Sequence, residues 1–232
     1  MDGVHIMRTI AIVQARTGST RFPCKILASL HGKPMLSHVM ERAMAIHDVD
    51  QVVLAVPASD VRLVQHLWPH VYGGSEHDVL GRYAGAAMEY QADIVLRVTG
   101  DCPMLAPDLI NDALVWYTDP MIDGRTDQYF PICQPYSATA DGWDAELFSC
   151  ELLNDANREA DSIQREHVTT WMRESGVGLA GWTFPRDFTA LKCSVDTEAD
   201  LARVSLIMDH LEDKTDFSHT ATWKAWEKAG RP

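Results

Sequence analysis

Short apolar runs alternate with amphipathic stretches of about three helical turns through the first hundred residues, and this alternation narrows the possible folds most. Residues 10–13, 51–56 and 93–98 read as buried strands, with a shorter one at Val71 and Tyr72. Behind Pro34, the residues Met35, Leu36, Val39, Met40, Ala43 and Met44 recur at helical spacing. A second stripe, Val61, Val64, Leu67 and Trp68, follows a cap at Ser59 or Asp60, and a third runs through Val79, Leu80, Tyr83, Ala84, Ala87 and Met88. Strand and helix in this rhythm are the pattern of parallel βαβ units, a sheet with helices on both faces. Ligands of such sheets gather at the carboxyl ends of the strands, and three of those ends, 14–25, 73–78 and 99–103, point to one crevice.

The first of these ends is cationic in an acidic chain. The 232 residues hold 33 acids against 20 Lys and Arg, for a formal charge of −13. No Asp or Glu lies between Gly3 and Met40, where an even distribution would put about five. Arg8, Arg16, Arg21, Lys25 and Lys33 fall there instead. An acid-free basic turn after the first strand marks a seat for a polyanion. A Walker loop needs Gly, Lys and Ser or Thr in succession, and a dinucleotide turn needs three glycines; this loop has Gly18 alone. What remains is a grip by side chains, the guanidinium forks of Arg16 and Arg21 and the point charge of Lys25.

The string QARTGSTRFPCKIL (14–27), followed by GKPML (32–36), resembles the N-terminal signature of the cytidylyltransferases that activate acidic sugars. More closely, it is similar to the spore coat polysaccharide biosynthesis protein F family. The likeness continues in order through GGSEHDVLGRY (73–83), VTGDCPML (98–105), DGWDAELF (141–148), REHVT (165–169) and VDTEADL (195–201). It implies an α/β fold of the nucleotide-diphosphosugar transferase-like (Rossmann-like) type, a mostly parallel sheet flanked by helices. It also implies Mg²⁺ as cofactor, CTP and a sugar acid as substrates, and transfer of CMP with release of pyrophosphate in surface polysaccharide or glycan precursor synthesis. One position departs from the family pattern: Cys24 stands where relatives commonly have Gly, and a positive φ there would strain it.

Carried over position by position, the resemblance puts Gln14, Ala15, Arg16, Gly18, Ser19, Arg21, Lys25, Ser75, Asp78, Arg82 and Gly100 around the nucleotide. Arg16, Arg21 and Lys25 become the catalytic cations, with Lys25 answering the charge that builds on the α-phosphate and the leaving pyrophosphate. Asp101 and Asp196 become the metal ligands; both follow apolar runs, where the alternatives are a turn residue before Pro103 and a helix cap. Asp141, Asp144, Glu146, Arg165, Glu166 and His167 fall on the sugar side, Arg165 to meet a carboxylate and the acids to accept from hydroxyls. Of these, Asp144 and Glu146 share a strand face. Asp78 also reads as a cap, Arg82 as a surface charge and His167 as a structural histidine. The strand-end Arg97 is expected to touch a phosphate or to pair with Asp101.

Composition bounds the rest. A chain 46% hydrophobic fits one α/β domain over 1–232, with 118–140 as a long irregular segment and 213–232 as a C-terminal tail. Trp223 and Trp226 offer the tail apolar surface to dock on the domain or on a second subunit, and relatives of this type often pair, so a homodimer is one expectation. Trp143, Ala145 and Leu147 alternate as a strand, 165–174 reads as a helix, 191–195 as a last core strand, and Thr197 with Asp200 as caps for a helix over 198–211. No apolar run approaches the ~20 residues of a bilayer span, and the opening MDGVHIMR lacks a secretory core, so a cytoplasmic protein without a membrane partner is expected. The five cysteines are odd in number and form no C-x-x-C pair, which argues against disulfides and structural zinc. The acidic balance argues against nucleic acid. Two rival functions stand: a glycosyltransferase of the same fold, which usually carries Asp-x-Asp where this chain has Asp101-Cys102-Pro103, and a non-catalytic nucleotide-binding member.

Overall fold

The first half forms the expected parallel units. In the computed structural model, which describes residues 7–119, 128–179 and 186–232, β1 (Thr9–Gln14) leads through a long loop and a 3-10 turn (Lys25–Leu27) to a small hairpin, β2 (Ser29–Leu30) and β3 (Lys33–Pro34). His31 and Gly32 make its two-residue turn, both at positive φ, the conformation that suits a tight hairpin. There follow α1 (Met35–Met44), β4 (Gln51–Pro57), α2 (Val61–Val64), β5 (Val71–Gly74), α3 (Val79–Glu89), β6 (Ile94–Thr99) and α4 (Pro107–Thr118). The second half adds β7 (Phe130–Ile132), β8 (Ala145–Ser149), α5 (Cys150–Glu159), a 3-10 turn (Gln164–His167), α6 (Thr170–Glu174), α7 (Glu198–Asp209) and α8 (His219–Lys228).

Six strands make one sheet in the order β5-β4-β1-β6-β8-β7. β1 lies parallel to both β4 and β6, with Gln14 level with Ala55 on one side and Thr99 on the other. β5 is also parallel, while β8 and β7 run against their neighbours. The chain leaves β1 toward β4 and β5 and returns through α3 to β6 on the opposite side of β1. The loops after β1 and β6 therefore diverge, and a crevice opens between their carboxyl ends. Strand alternation divides the core by face. Ile10, Ile12, Val53, Ala55, Val95 and Phe148 pack with α3, α5 and α6. Ala11, Val13, Leu54, Val56, Leu96 and Val98 pack with α1, α4, α7 and α8. Gly100 closes the crevice floor: a Cβ there would lie 2.8 Å from the Gln14 carbonyl oxygen, which Gly100 N reaches at 2.7 Å.

The second half departs from the sequence reading in places that matter for the site. Residues 191–195, buried except for Lys192, do not join the sheet. Their amides go to two loops instead, Cys193 N to Asp141 O at 2.7 Å and Val195 N to Asp101 O at 2.9 Å. The expected helix 165–174 breaks at Val168, buried at φ 53°, into a 3-10 turn and α6. Pro34 stands just before α1 rather than in its first turn. Thr197 and Asp200 do form a reciprocal capping box on α7, which ends at Asp209. Of the irregular segment 118–140, residues 120–127 lie outside the described residues, and 130–132 are a strand. No helix among the described residues is long and apolar enough to cross a membrane.

The tail residues fold into α8, which packs on α7 and α4 of the same chain and buries Trp223 and Trp226. Phe188 meets Trp223 edge to face and Trp223 meets Trp226 at a tilt, with ring centroids 5.2 and 4.7 Å apart. Trp226→Ala is expected to cost about 3–5 kcal/mol, read as a shift of the urea midpoint with an unchanged slope.

Candidate active site

The basic loop takes its shape from one carboxylate outside it. Asp60 accepts from Thr17 N at 2.8 Å and from Thr17 Oγ1 at 2.9 Å, and the Thr17 carbonyl then accepts from Ser19 N and Cys24 N. The turn closes with Cys24 in the left-handed region, φ 56° and ψ 24°, so the conformation that would strain a non-glycine residue is present. The 3-10 turn that follows carries Lys25 inward until it is 9% exposed. Its ammonium meets Asp101 Oδ2 at 2.9 Å, Asp196 Oδ1 at 3.1 Å and the Val195 carbonyl at 2.7 Å. Arg21 reaches the same Asp196 oxygen at 2.9 Å. Burial alone would lower the Lys25 pKa, but Asp101 and Asp196 outweigh it and the net shift is upward. Burial likewise disfavours the Asp101 carboxylate, and Lys25 reverses that, holding it below the usual range. Lys25 and Asp101 thus hold each other in their charged forms.

Two cavities of about 300 and 310 Å³ open on either side of this cluster. The first is lined by Gln14, Ala15, Arg16, Gly18, Ser19, Arg21, Lys25, Arg82 and Gly100, together with Glu166 and His167. The second is lined by Asp141, Asp144 and Glu146 and by Gln134, Arg173 and Ser194, which the motifs did not single out. Arg97, Thr99, Asp101 and Asp196 belong to both. A cationic compartment and one lined by acids and arginines therefore meet at two carboxylates. That donor set fits a hard divalent cation, which takes one or two carboxylates and fills its remaining positions with phosphate oxygens and water. Among the described residues no cluster of three or more His, Cys, Asp or Glu offers an all-protein metal cage.

The sequence model of the cytidylyltransferase family matches residues 10–184. The chain belongs to the cytidylyltransferase family. It is 27% identical over 222 residues to the spore coat polysaccharide biosynthesis protein SpsF of Bacillus subtilis, covering 89% of each chain. It is 38% identical over 115 residues to a 3-deoxy-manno-octulosonate cytidylyltransferase of Pelobacter propionicus, covering 47% of this chain and 44% of that one. The structure of a cytidylyltransferase from Leptospira borgpetersenii matches 97% of this chain and 96% of its own, with a TM-score of 0.86 at 24% identity.

In this cytidylyltransferase, several side chains expected at the ligands are engaged elsewhere. Asp78 caps α3 through Gly81 N at 2.8 Å and pairs with Arg165 at 2.8 and 3.0 Å. Arg165 also holds Asn157. Neither lines a cavity, and nor does the exposed Ser75, whose carbonyl accepts from Arg82 at 2.5 Å. Arg82 is buried in the cavity wall rather than a surface charge. Asp196 is not the α7 cap, a role Thr197 takes, and so its carboxylate is available to the site. Asp144 lies in the second cavity, accepts from Gly142 N at 2.9 Å, and is pushed by burial to about 6.

Glu146 is the largest departure. It is 2% exposed and bonds to Arg97, to Arg173 at 2.6 Å, to Thr169 Oγ1 at 2.9 Å and to the Tyr129 hydroxyl. Three of these donors meet Oε1 and Arg97 meets Oε2, so Glu146 is committed chiefly to the protein although it lines the second cavity. Arg97 pairs here and not with Asp101. The signal for Arg97 was an arginine inside an apolar strand; Arg173 gave none, because its partner lies 27 residues away.

Two outcomes follow. Cys24→Gly removes the left-handed strain and raises stability by about 0.5–1 kcal/mol net of added chain entropy, measured by urea denaturation. Burial opposes the Glu146 carboxylate, but Arg97 and Arg173 prevail and hold it at about 2, against 4.5 for a free glutamate. The stability this supplies is fully present above about pH 4.5 and is lost as pH falls toward 2. Glu146→Gln is expected to cost about 3–5 kcal/mol at pH 7 and to flatten the unfolding profile over that acid window.

Proposed function

We propose that this protein transfers CMP from CTP to a hydroxyl of a sugar acid and releases pyrophosphate, supplying a surface polysaccharide or glycan precursor. The observation that carries this reading is the Lys25 ammonium bonded to Asp101 and Asp196 where the two cavities join. Arg16, Arg21 and Lys25 bring positive charge to the triphosphate, and the Gln14 side-chain oxygen, buried without a partner, is free to accept from the nucleotide. The acceptor hydroxyl oxygen forms a bond to the α-phosphorus, and the bond from that phosphorus to the bridging oxygen breaks. The electron pair departs with pyrophosphate, and the hydroxyl proton passes to a base or solvent.

In this reading Lys25 answers the charge that grows on the α-phosphate and the leaving group as a fixed point charge, because its three N–H groups are already given to Asp101, Asp196 and the Val195 carbonyl. Asp101 and Asp196 would hold a divalent cation, Mg²⁺ in this reading, whose chemistry when bound is neutralisation and polarisation of phosphate oxygens. Asp141 and Asp144 face the second cavity as acceptors for sugar hydroxyls. A glycosyltransferase would consume a nucleotide-sugar without releasing pyrophosphate, and a non-catalytic member would bind nucleotide without turnover.

Pyrophosphate release is therefore the deciding measurement. With Mg²⁺ and a panel of 2-keto sugar acids, CTP is expected to support release and UTP, ATP and GTP are not. Absence of binding to all four triphosphates in calorimetry would sink the reading. Lys25→Met is expected to lower kcat on the order of 10²–10³-fold.

A further inference from the structure

Transfer to a hydroxyl leaves one proton to be placed, and the second cavity limits what can take it. Among the described residues that line it there is no histidine. Cys102 and Cys133 do line it, but burial pushes both thiols up, Cys133 to about 12, so they keep their protons. Asp101 and Asp196 are bonded to Lys25, and Arg97 and Arg173 hold Glu146 at about 2, too acidic to accept a proton near neutral pH. Two carboxylates remain, Asp141 and Asp144, and neither has an ion pair among the described residues. Their placement differs. Val98 pairs with Ala145 where β8 runs against β6, and the same register carried one residue on sets Asp144 opposite Thr99, at the start of the turn to Asp101. Asp141 lies earlier in its loop, where its backbone meets Lys192, Cys193 and Ser194. The Asp144 carboxylate is also held in place. Gly142 N donates to Oδ2 at 2.9 Å, which leaves Oδ1 without a protein partner among the described residues. Only glycine permits that turn, because its φ is 106° and a Cβ would lie 2.4 Å from Ser194 N.

We propose that Asp144 is the general base of the transfer and takes the acceptor's proton on Oδ1 as the hydroxyl oxygen attacks. This rests on the CMP-transfer reading. The O–H bond breaks with its electron pair left on oxygen, a lone pair of that oxygen bonds to the α-phosphorus, and the bond to the bridging oxygen gives its electrons to the departing pyrophosphate. Asp144 becomes the neutral acid and returns the proton to solvent, so no co-reactant is needed. Its surroundings favour this exchange. Burial raises the Asp144 carboxyl to about 6 against the bond from Gly142, and Asp141, Asp101 and Glu146 add repulsion. Arg97 and Arg173, the cations that line this cavity, are bonded to Glu146, and the nearby Cys193 thiol is kept neutral by burial. A carboxyl of that strength is mostly ionised at neutral pH and is a stronger base than a free aspartate.

Single-turnover pyrophosphate release from the whole protein tests this, with Mg²⁺, CTP and either 3-deoxy-manno-octulosonate or N-acetylneuraminate, followed from about pH 5 to about pH 8. The wild type is expected to show one acid limb, its rate falling as the carboxyl protonates. Asp144→Asn still offers the hydroxyl an acceptor but cannot hold the proton. It is expected to slow release on the order of 10²–10⁴-fold and to erase the limb, with Kd for CTP and for the acceptor within about threefold of wild type. Asp144→Ala should regain part of its lost rate when formate is added, and Asp141→Asn is expected to weaken acceptor binding while keeping the limb. A wild-type profile without the limb, a limb that survives Asp144→Asn in a protein that melts cooperatively, a loss confined to acceptor affinity, failure of formate to rescue a folded Asp144→Ala, or a limb that vanishes with Asp141→Asn instead overturns the inference. The wild-type profile needs no variant, so a misfolded Asp144→Asn does not block the test. Wild-type protein that releases no pyrophosphate with either acceptor sinks the CMP-transfer reading and this inference with it; release at full rate from Asp144→Asn sinks the inference alone.

Discussion

One ammonium group holds the site together. Lys25 Nζ bonds to residues 76 and 171 positions away, and so pins the loop after β1 to the loop after β6 and to the segment that enters α7. The three pieces come from different parts of the chain and are joined as well by backbone bonds, Gly100 N to Gln14 O and Val195 N to Asp101 O. An ammonium between two carboxylates and a carbonyl is stable in a half-buried place because each charge offsets the desolvation of the other. The same arrangement is what a triphosphate needs, since positive charge is fixed where negative charge will arrive.

A second charged cluster organises the other half. Glu146 of β8 draws Arg97 from the neighbouring strand and Arg173 from α6, with Tyr129 and Thr169 completing its hydrogen bonds. Antiparallel pairing sets Arg97 directly opposite Glu146, so register alone brings these two together. The two clusters meet along a line of shared residues, Arg97, Thr99, Asp101 and Asp196. Three of them sit at the end of β6, the strand beside the topological switch. A fold that reverses its winding at β1 thereby opens two adjoining compartments along one line of residues.

The first hundred residues were readable because their signals are local. Apolar runs and helical stripes report burial within ten residues, and the acid-free run from 3 to 40 reports an electrostatic field without any knowledge of contacts. Arg16, Arg21, Lys25, Gly100, Asp101 and Asp196 duly line one crevice. Asp78, Arg165 and Glu146 were read as ligand contacts because a carboxylate or guanidinium beside a strand end looks the same whether it faces solvent or another side chain. Which of the two holds depends on what the fold places opposite. Residues 191–195 misled for a related reason: their alternation reports burial, while a strand also needs a neighbour with free backbone groups, and here the loops at Asp101 and Asp141 supply those instead.

The sequence by itself determined the parallel βαβ start, the cationic turn, the capping box at Thr197 and the strain awaiting Cys24, because each is written in neighbouring residues. Only the tertiary structure decided that Lys25 lies between two distant aspartates, that Asp78 and Arg165 neutralise each other, and that Glu146 serves two arginines. The physical reason is that a charge's role is fixed by the nearest opposite charge in space, and chain order does not carry that distance.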